Sequence, residues 1–168
     1  MKKLILIIVF VLPITLIGQQ LNQSKIDSKT NESVLIGYCN IEGLQTGNFG
    51  KYYAEEYNAY TPDKVIVAEL KKANNNIEIT IILGTWCNDS KVQVPHFIKI
   101  LDQIGFNTED LKIIAVDTDK TAPGISSADL SLRKVPTFIF YRNGEEFGRI
   151  IETPFDTLEK DMLKLFIR

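Results

Sequence analysis

Sulfur and imidazole are scarce in this chain. Its 168 residues hold two cysteines, Cys39 and Cys87, and one histidine, His96. Those three fall short of the four-ligand sets that build structural zinc sites, and two thiols cannot make the dense disulfide frameworks of small secreted scaffolds. No metal and no cofactor are therefore expected. An excess of charge of one sign is missing too. Nineteen Lys and Arg face 21 Asp and Glu, and the basic residues are scattered rather than gathered in a stripe, which argues against a nucleic-acid partner. There is no internal repeat and no low-complexity tract. The one long apolar run, Leu4 to Ile17, follows Met1-Lys2-Lys3 and has about the length of a secretory signal, short for a membrane span. Cleavage after Gly18 is expected because Gln19 onward turns polar, although Leu16 is bulkier than the small residue preferred there. The alternative is an uncleaved anchor. The expected organisation is a signal peptide at 1–18, an N-terminal extension at 19–60 and a main domain at 61–168, with roughly 150 mature residues making one domain. Such a protein would be exported to the periplasm or the extracellular space, with no stable membrane insertion after cleavage. Disulfides persist in those compartments.

What the chain does have is a thiol at a strand-to-helix junction. The run Ile77-Glu78-Ile79-Thr80-Ile81-Ile82-Leu83 is β-branched, apolar and short, which predicts a buried central strand that ends at Gly84. From Lys91 to Ile104, Val94, Phe97, Ile98 and Leu101 recur at three- and four-residue intervals, which predicts a helix with one apolar face. Within Trp86-Cys87-Asn88-Asp89-Ser90, Cys87 then sits at that helix's N-terminus. Unpaired backbone N–H groups and the positive end of the helix dipole favour a thiolate there, the reactive form of cysteine.

These residues resemble the thioredoxin family. Where that family has Cys-x-x-Cys, this chain reads Cys87-Asn88-Asp89-Ser90, yet three other landmarks agree in identity and spacing. Trp86 precedes the cysteine. Pro95 falls eight residues after it, where the family carries a helix-kinking proline. Val135-Pro136-Thr137 is similar to the family's cis-proline loop, which lies against the active-site sulfur and offers backbone groups to a bound peptide. A strand, Phe138 to Tyr141, follows, then the hairpin signal Asn143-Gly144 and a last strand around Phe147 to Ile151. The resemblance covers roughly residues 61 to 168. It implies an α/β fold of three α/β/α layers around a central mixed sheet, here with an N-terminal extension. The family's buried acid, six positions before the cysteine, is replaced by Ile81.

Outside the motif, Gln20 to Ser33 is polar and reads as a flexible lead-in, and Val34-Leu35-Ile36 as a short edge strand, the first of the sheet. Phe49, Tyr52, Tyr53, Tyr57 and Tyr60 form an aromatic stripe at helical spacing, expected to dock on the core, with a peptide-binding wall as the alternative. A helix is predicted from Pro62 to Ala73, a second central strand from Leu111 to Asp117, a short helix from Ile125 to Leu132, and a final helix opened by Pro154 and Phe155. His96 reads as a partly exposed helical residue, with a proton shuttle to Cys87 as the alternative.

One sulfur in the motif limits the chemistry. In a dithiol site the second cysteine releases the mixed disulfide formed by the first; Ser90 cannot, although its hydroxyl can donate to the Cys87 thiolate. Asp89 opposes a second negative charge, and Arg133 and Lys134 offset it if they point toward the site. Cys39 is the candidate resolving thiol; its other readings are a disulfide with Cys87 or a small buried hydrophobe. The expected function is monothiol thiol-disulfide exchange with protein or small-molecule disulfides and thiols as partners. Cys87 and Ser90 would be the catalytic pair, and Trp86, Val135, Pro136 and Thr137 the substrate groove. The competing reading is a redox-inactive binding module that kept the groove.

Overall fold

The computed structural model describes residues 20–108, 111–126, 128 and 130–167. Six strands make one mixed sheet: β1 (Gln23–Ile26), β2 (Ser33–Cys39), β3 (Ile77–Leu83), β4 (Lys112–Ala115), β5 (Thr137–Arg142) and β6 (Glu145–Ile151), in the order β1-β2-β4-β3-β5-β6. The β3–β4 pair is parallel and the others antiparallel. The helices are α1 (Ile41–Leu44), α2 (Gly47–Ala59), α3 (Lys64–Ala73), α4 (Asn88–Ile104) and α5 (Leu158–Phe166). No helix among the described residues is long and apolar enough to cross a membrane.

Strand alternation splits the core in two. Ile77, Ile79, Ile81 and Leu83 of β3 face one side, and Ile82 faces the other. On the first side lie the buried faces of all five helices, with Phe97 of α4 stacked on Phe138 at 4.2 Å and Phe140 meeting Phe166 edge-on at 5.5 Å. On the second side Ile82, Ile114, Val116, Val135 and Ile139 are covered by Trp86, Ala122, Ile125, Leu130 and Leu132.

Local chemistry explains the element ends. Asp63 accepts from the Val65 and Ile66 amides at the start of α3, and Thr157 from the Lys160 amide at the start of α5. Gly105, at φ +73°, closes α4, and the Phe106 amide reaches back to the Leu101 carbonyl.

Four expectations need correction. The lead-in at Gln20 to Ser33 contains β1, so β1 and not Val34-Leu35-Ile36 forms the edge; all four β1 side chains are exposed, which hid the strand from any apolar pattern. The Ile125 to Leu132 segment is not helical among its described residues. It runs in turns, with a bridge between Ala122 and Ile125. The last helix starts at Leu158 rather than at Pro154 and Phe155, because Thr157 caps it. Helix α4 begins at Asn88, a turn earlier than Lys91. The aromatic stripe docks as expected: Phe49 and Tyr53 are buried in α2, and Tyr57 donates to Asp102 of α4 at 2.6 Å.

The 19–60 segment therefore shares the sheet and core of the rest. Its first residue and the expected signal peptide lie outside the described residues.

Candidate functional site around Cys87

Strand β3 ends at Leu83, and the Gly84 to Trp86 turn, closed by the Cys87 amide donating to the Gly84 carbonyl at 2.9 Å, delivers Cys87 to the N-cap of α4. The Cys87 side chain does not cap the helix. Its thiol, half-buried, donates instead to the Val135 carbonyl at 3.3 Å. The Val135-Pro136 peptide bond is cis, as the resemblance implied. Val135, Pro136 and Thr137 are buried, and the Thr137 hydroxyl donates to the Lys134 carbonyl at 2.7 Å, folding the loop against β5. The structure thus brings Cys87, Trp86 and the Pro136 loop together at one end of the sheet.

Ser90 is placed differently from expectation. It is fully buried, and its Oγ accepts from the Gly84 amide at 3.3 Å; no hydrogen bond joins it to the Cys87 thiol. Ser90 closes the strand-to-helix turn, which ranks it as a positioning residue for Cys87.

Cys39 is not brought to Cys87. Both thiols are free. Cys39 is buried on β2 opposite Ile113, in the core under the helices, whereas Cys87 borders the second face. Burial pushes the Cys39 thiol up to about 11, although backbone groups of Ala115 and Asn22 pull the other way, and it donates to the Gly37 carbonyl at 3.6 Å.

His96 is fastened far from the sulfur. Its Nε2 lies 2.9 Å from a Glu56 carboxylate oxygen, and its ring stacks on Tyr60 at 4.0 Å. Burial lowers its pKa and Glu56 partly opposes this. Arg133 and Lys134 are exposed; Lys134 pairs with Glu152, which raises the lysine's pKa, with a smaller contribution from Asp89.

Two partners of the site were missed in the sequence. The Thr85 hydroxyl accepts from the Leu35 amide at 3.1 Å, tying the thiol loop to β2. Glu152, at φ +65°, turns the chain after β6 so that its amide donates to the Pro136 carbonyl at 2.7 Å. No sequence signal marks either bond, since the partners are 50 and 16 residues apart. Gly84 is required for packing: a Cβ there would sit 2.6 Å from the Trp86 ring. Among the described residues, no group of three His, Cys, Asp or Glu is placed to hold a metal ion.

A family model described as Thioredoxin matches residues 46–162, more than half of the chain. The chain belongs to the thioredoxin family. It is similar to thioredoxin of Gallus gallus, with 29% identity over 98 residues, 58% of this chain and 88% of the relative. Putative thioredoxin-5 of Dictyostelium discoideum is 35% identical over the same shares of the two chains. Among solved structures, the thioredoxin of Malassezia sympodialis matches with a TM-score of 0.39 and 22% identity, covering 58% of this chain and 83% of that one. The thioredoxin-family match spans the thiol loop, the Pro136 loop and most of α5.

Proposed function

We propose that this thioredoxin-family chain is an exported monothiol thiol-disulfide exchange protein that works through Cys87. The observation that carries the reading is the half-buried Cys87 thiol at the start of α4, held against the Val135 carbonyl beside Pro136, with Ser90 in the place of a second sulfur. The thiolate attacks a disulfide R–S–S–R′, forming Cys87–S–S–R and releasing R′–S⁻. Ser90 cannot resolve this intermediate, and Cys39 lies in the other core, so a thiolate from solution or from a second protein attacks it and restores Cys87. The net change is transfer of a disulfide between partners; net reduction requires that the external thiol be the reductant. Trp86, Val135, Pro136 and Thr137 line the approach to the sulfur. Export rests on the Met1 to Ile17 pattern, and a mature N-terminus near Gln19, read by mass spectrometry of the exported protein, is the expected result.

The experiment is to mix the reduced protein with a disulfide substrate. The wild type should accumulate a covalent complex that added thiol releases, and Cys87→Ser should form none. Ser90→Cys should resolve the complex internally, because position 90 lies one helical turn from position 87, and should speed insulin reduction with a small-thiol reductant. Absence of any wild-type complex would remove Cys87 as a nucleophile and leave the binding-module reading.

A further inference from the structure

A polar cleft of about 380 Å³ opens between β2, the start of α2 and the thiol loop. The 19–60 segment builds most of it, Thr85 of the thiol loop and Lys91 of α4 complete it, and no residue of the Pro136 loop takes part. Its positive charges are not spent within the chain. The Lys91 ammonium lies 4.6 Å from the centre of the Tyr52 ring, and neither Lys91 nor Lys51 is in an ion pair among the described residues. Glu32 is the one acid of the wall. The backbone donors agree with the lysines in sign. Helix α2 has no acidic residue in its first turn, and its N-cap Thr46 gives its hydroxyl to the Gly43 carbonyl at 2.8 Å instead of capping. The helix ladder begins with the Gly50 amide donating to the Thr46 carbonyl at 2.9 Å, which leaves the Gly47, Asn48 and Phe49 amides outside it, at the wall of the cleft.

A buried side chain points the same way independently. Thr85 is only 8% exposed and lines the cleft; its Oγ accepts from the Leu35 amide at 3.1 Å, and no hydrogen bond among the described residues uses its own proton. A buried hydroxyl that accepts without donating has a bond left to give, and the cleft is where an acceptor can enter. We propose that this cleft binds a small polar molecule through an oxyanion, a phosphate or a carboxylate, seated among the α2 amides, Lys51, Lys91 and the Thr85 hydroxyl. The free amides and the helix dipole favour negative charge at that point, and each lysine adds a charge-assisted bond. The volume falls in the range of small-molecule sites, so the oxyanion can carry an organic body. Cys87 is not part of the wall, and the site stands whether or not the thiol exchanges disulfides.

The test is titration calorimetry of the protein with inorganic phosphate, glycerol 3-phosphate and succinate, the first two against the third deciding which oxyanion the cleft prefers. Saturable binding of one ligand per chain is expected, with a dissociation constant of about a millimolar or below. Lys51→Gln and Lys91→Gln should each weaken it about tenfold and Thr85→Val about fivefold, whereas Glu32→Gln, which removes a like charge from the wall, should strengthen it about threefold. Lys71→Gln, on an exposed face of α3 away from the cleft, should leave it unchanged, which separates a local site from a response to net charge. Cys87→Ser should bind as the wild type does. No saturable heat with any of the three probes would overturn the proposal, as would binding that survives both Lys51→Gln and Lys91→Gln, or weakening by Lys71→Gln as large as theirs. Loss of binding in Cys87→Ser would also overturn it, since the anion would then sit at the thiol. A wild type that exchanges no disulfides yet binds with this pattern of variants would sink the exchange chemistry and leave the anion site standing.

Discussion

One face of the sheet is covered by helices and stacked rings, the other by turns held through carboxylates and backbone bonds. On the helical face, Phe97, Phe138, Phe140 and Phe166 interlock with the buried sides of all five helices, and Cys39 is shut in among them. On the other face, Asp117 organises the turn after β4 by accepting from the Thr121 and Asp119 amides. Asp27, buried beside β1, accepts from the Thr118 amide and hydroxyl. The reactive thiol borders this second face. Cohesion and chemistry are thus assigned to opposite sides of one sheet, and perturbing each side should be read out differently.

The largest effect is expected on the helical side. Phe97→Ala removes a fully buried ring that contacts both Phe138 and Phe140, and should cost about 3–5 kcal/mol in denaturant unfolding, while the surviving folded protein still alkylates Cys87 at the wild-type rate. A loss under about 1 kcal/mol would mean that the ring stack does not dominate cohesion.

An intermediate effect is expected from acid. Burial alone would raise the Asp27 carboxyl, but the amides of Thr118, Lys29 and Thr30 and the Thr118 hydroxyl outweigh it and hold the group well below the usual carboxylate range. Burial likewise opposes, and the Lys25 ammonium and the Thr121 donors outweigh, the same shift at Asp117. Folded values below the unfolded value of about 3.9 mean that both groups stabilise the fold above that pH, and that the contribution is lost as pH falls below it toward the folded values. Thermal melts from pH 7 to pH 3 should therefore drop most steeply below about pH 4, and Asp27→Asn should flatten that drop. An unchanged slope in Asp27→Asn would remove Asp27 from the acid response.

The smallest effect is expected at the second sulfur. In the native protein Cys87 should alkylate readily, whereas Cys39, buried and pushed up to about 11, should react only after denaturant is added. Cys39→Ala should leave the rate of mixed-disulfide formation and its release by added thiol unchanged. A slower release in that variant would show that Cys39 reaches the site during turnover.

The sequence revealed the elements that carry their own pattern. Strand β3 has the predicted bounds because Ile77 to Leu83 is buried at every position but Glu78, and the Asn143-Gly144 turn shows itself in residues that adopt positive φ without strain. The thiol, its helix and the Pro136 loop were legible through spacing. Elements fixed by distant partners were not. Strand β1 is exposed throughout and exists through its pairing with β2 and the anchoring of Lys25 and Asp27 to the turn after β4. Ile125, Leu130 and Leu132 pack against the second cluster from turns after Pro123-Gly124, and not from the short helix expected over Ile125 to Leu132. Phe155 shared the spacing of α5, yet Thr157 starts that helix and leaves the ring outside. Ser90 matched the motif position, and only the structure shows its hydroxyl engaged with Gly84.

The chain's single tryptophan stands at the border between the turn-covered face and the thiol, its indole N–H donating to the Val116 carbonyl at 3.0 Å. The protein thereby carries a built-in optical label on one side only. Trp86 emission follows the environment of the turns, while far-UV dichroism is dominated by the helices on the opposite side. Any separation of the two signals along a denaturant or acid series would resolve the molecule into two units of different local stability, one of which contains the reactive sulfur.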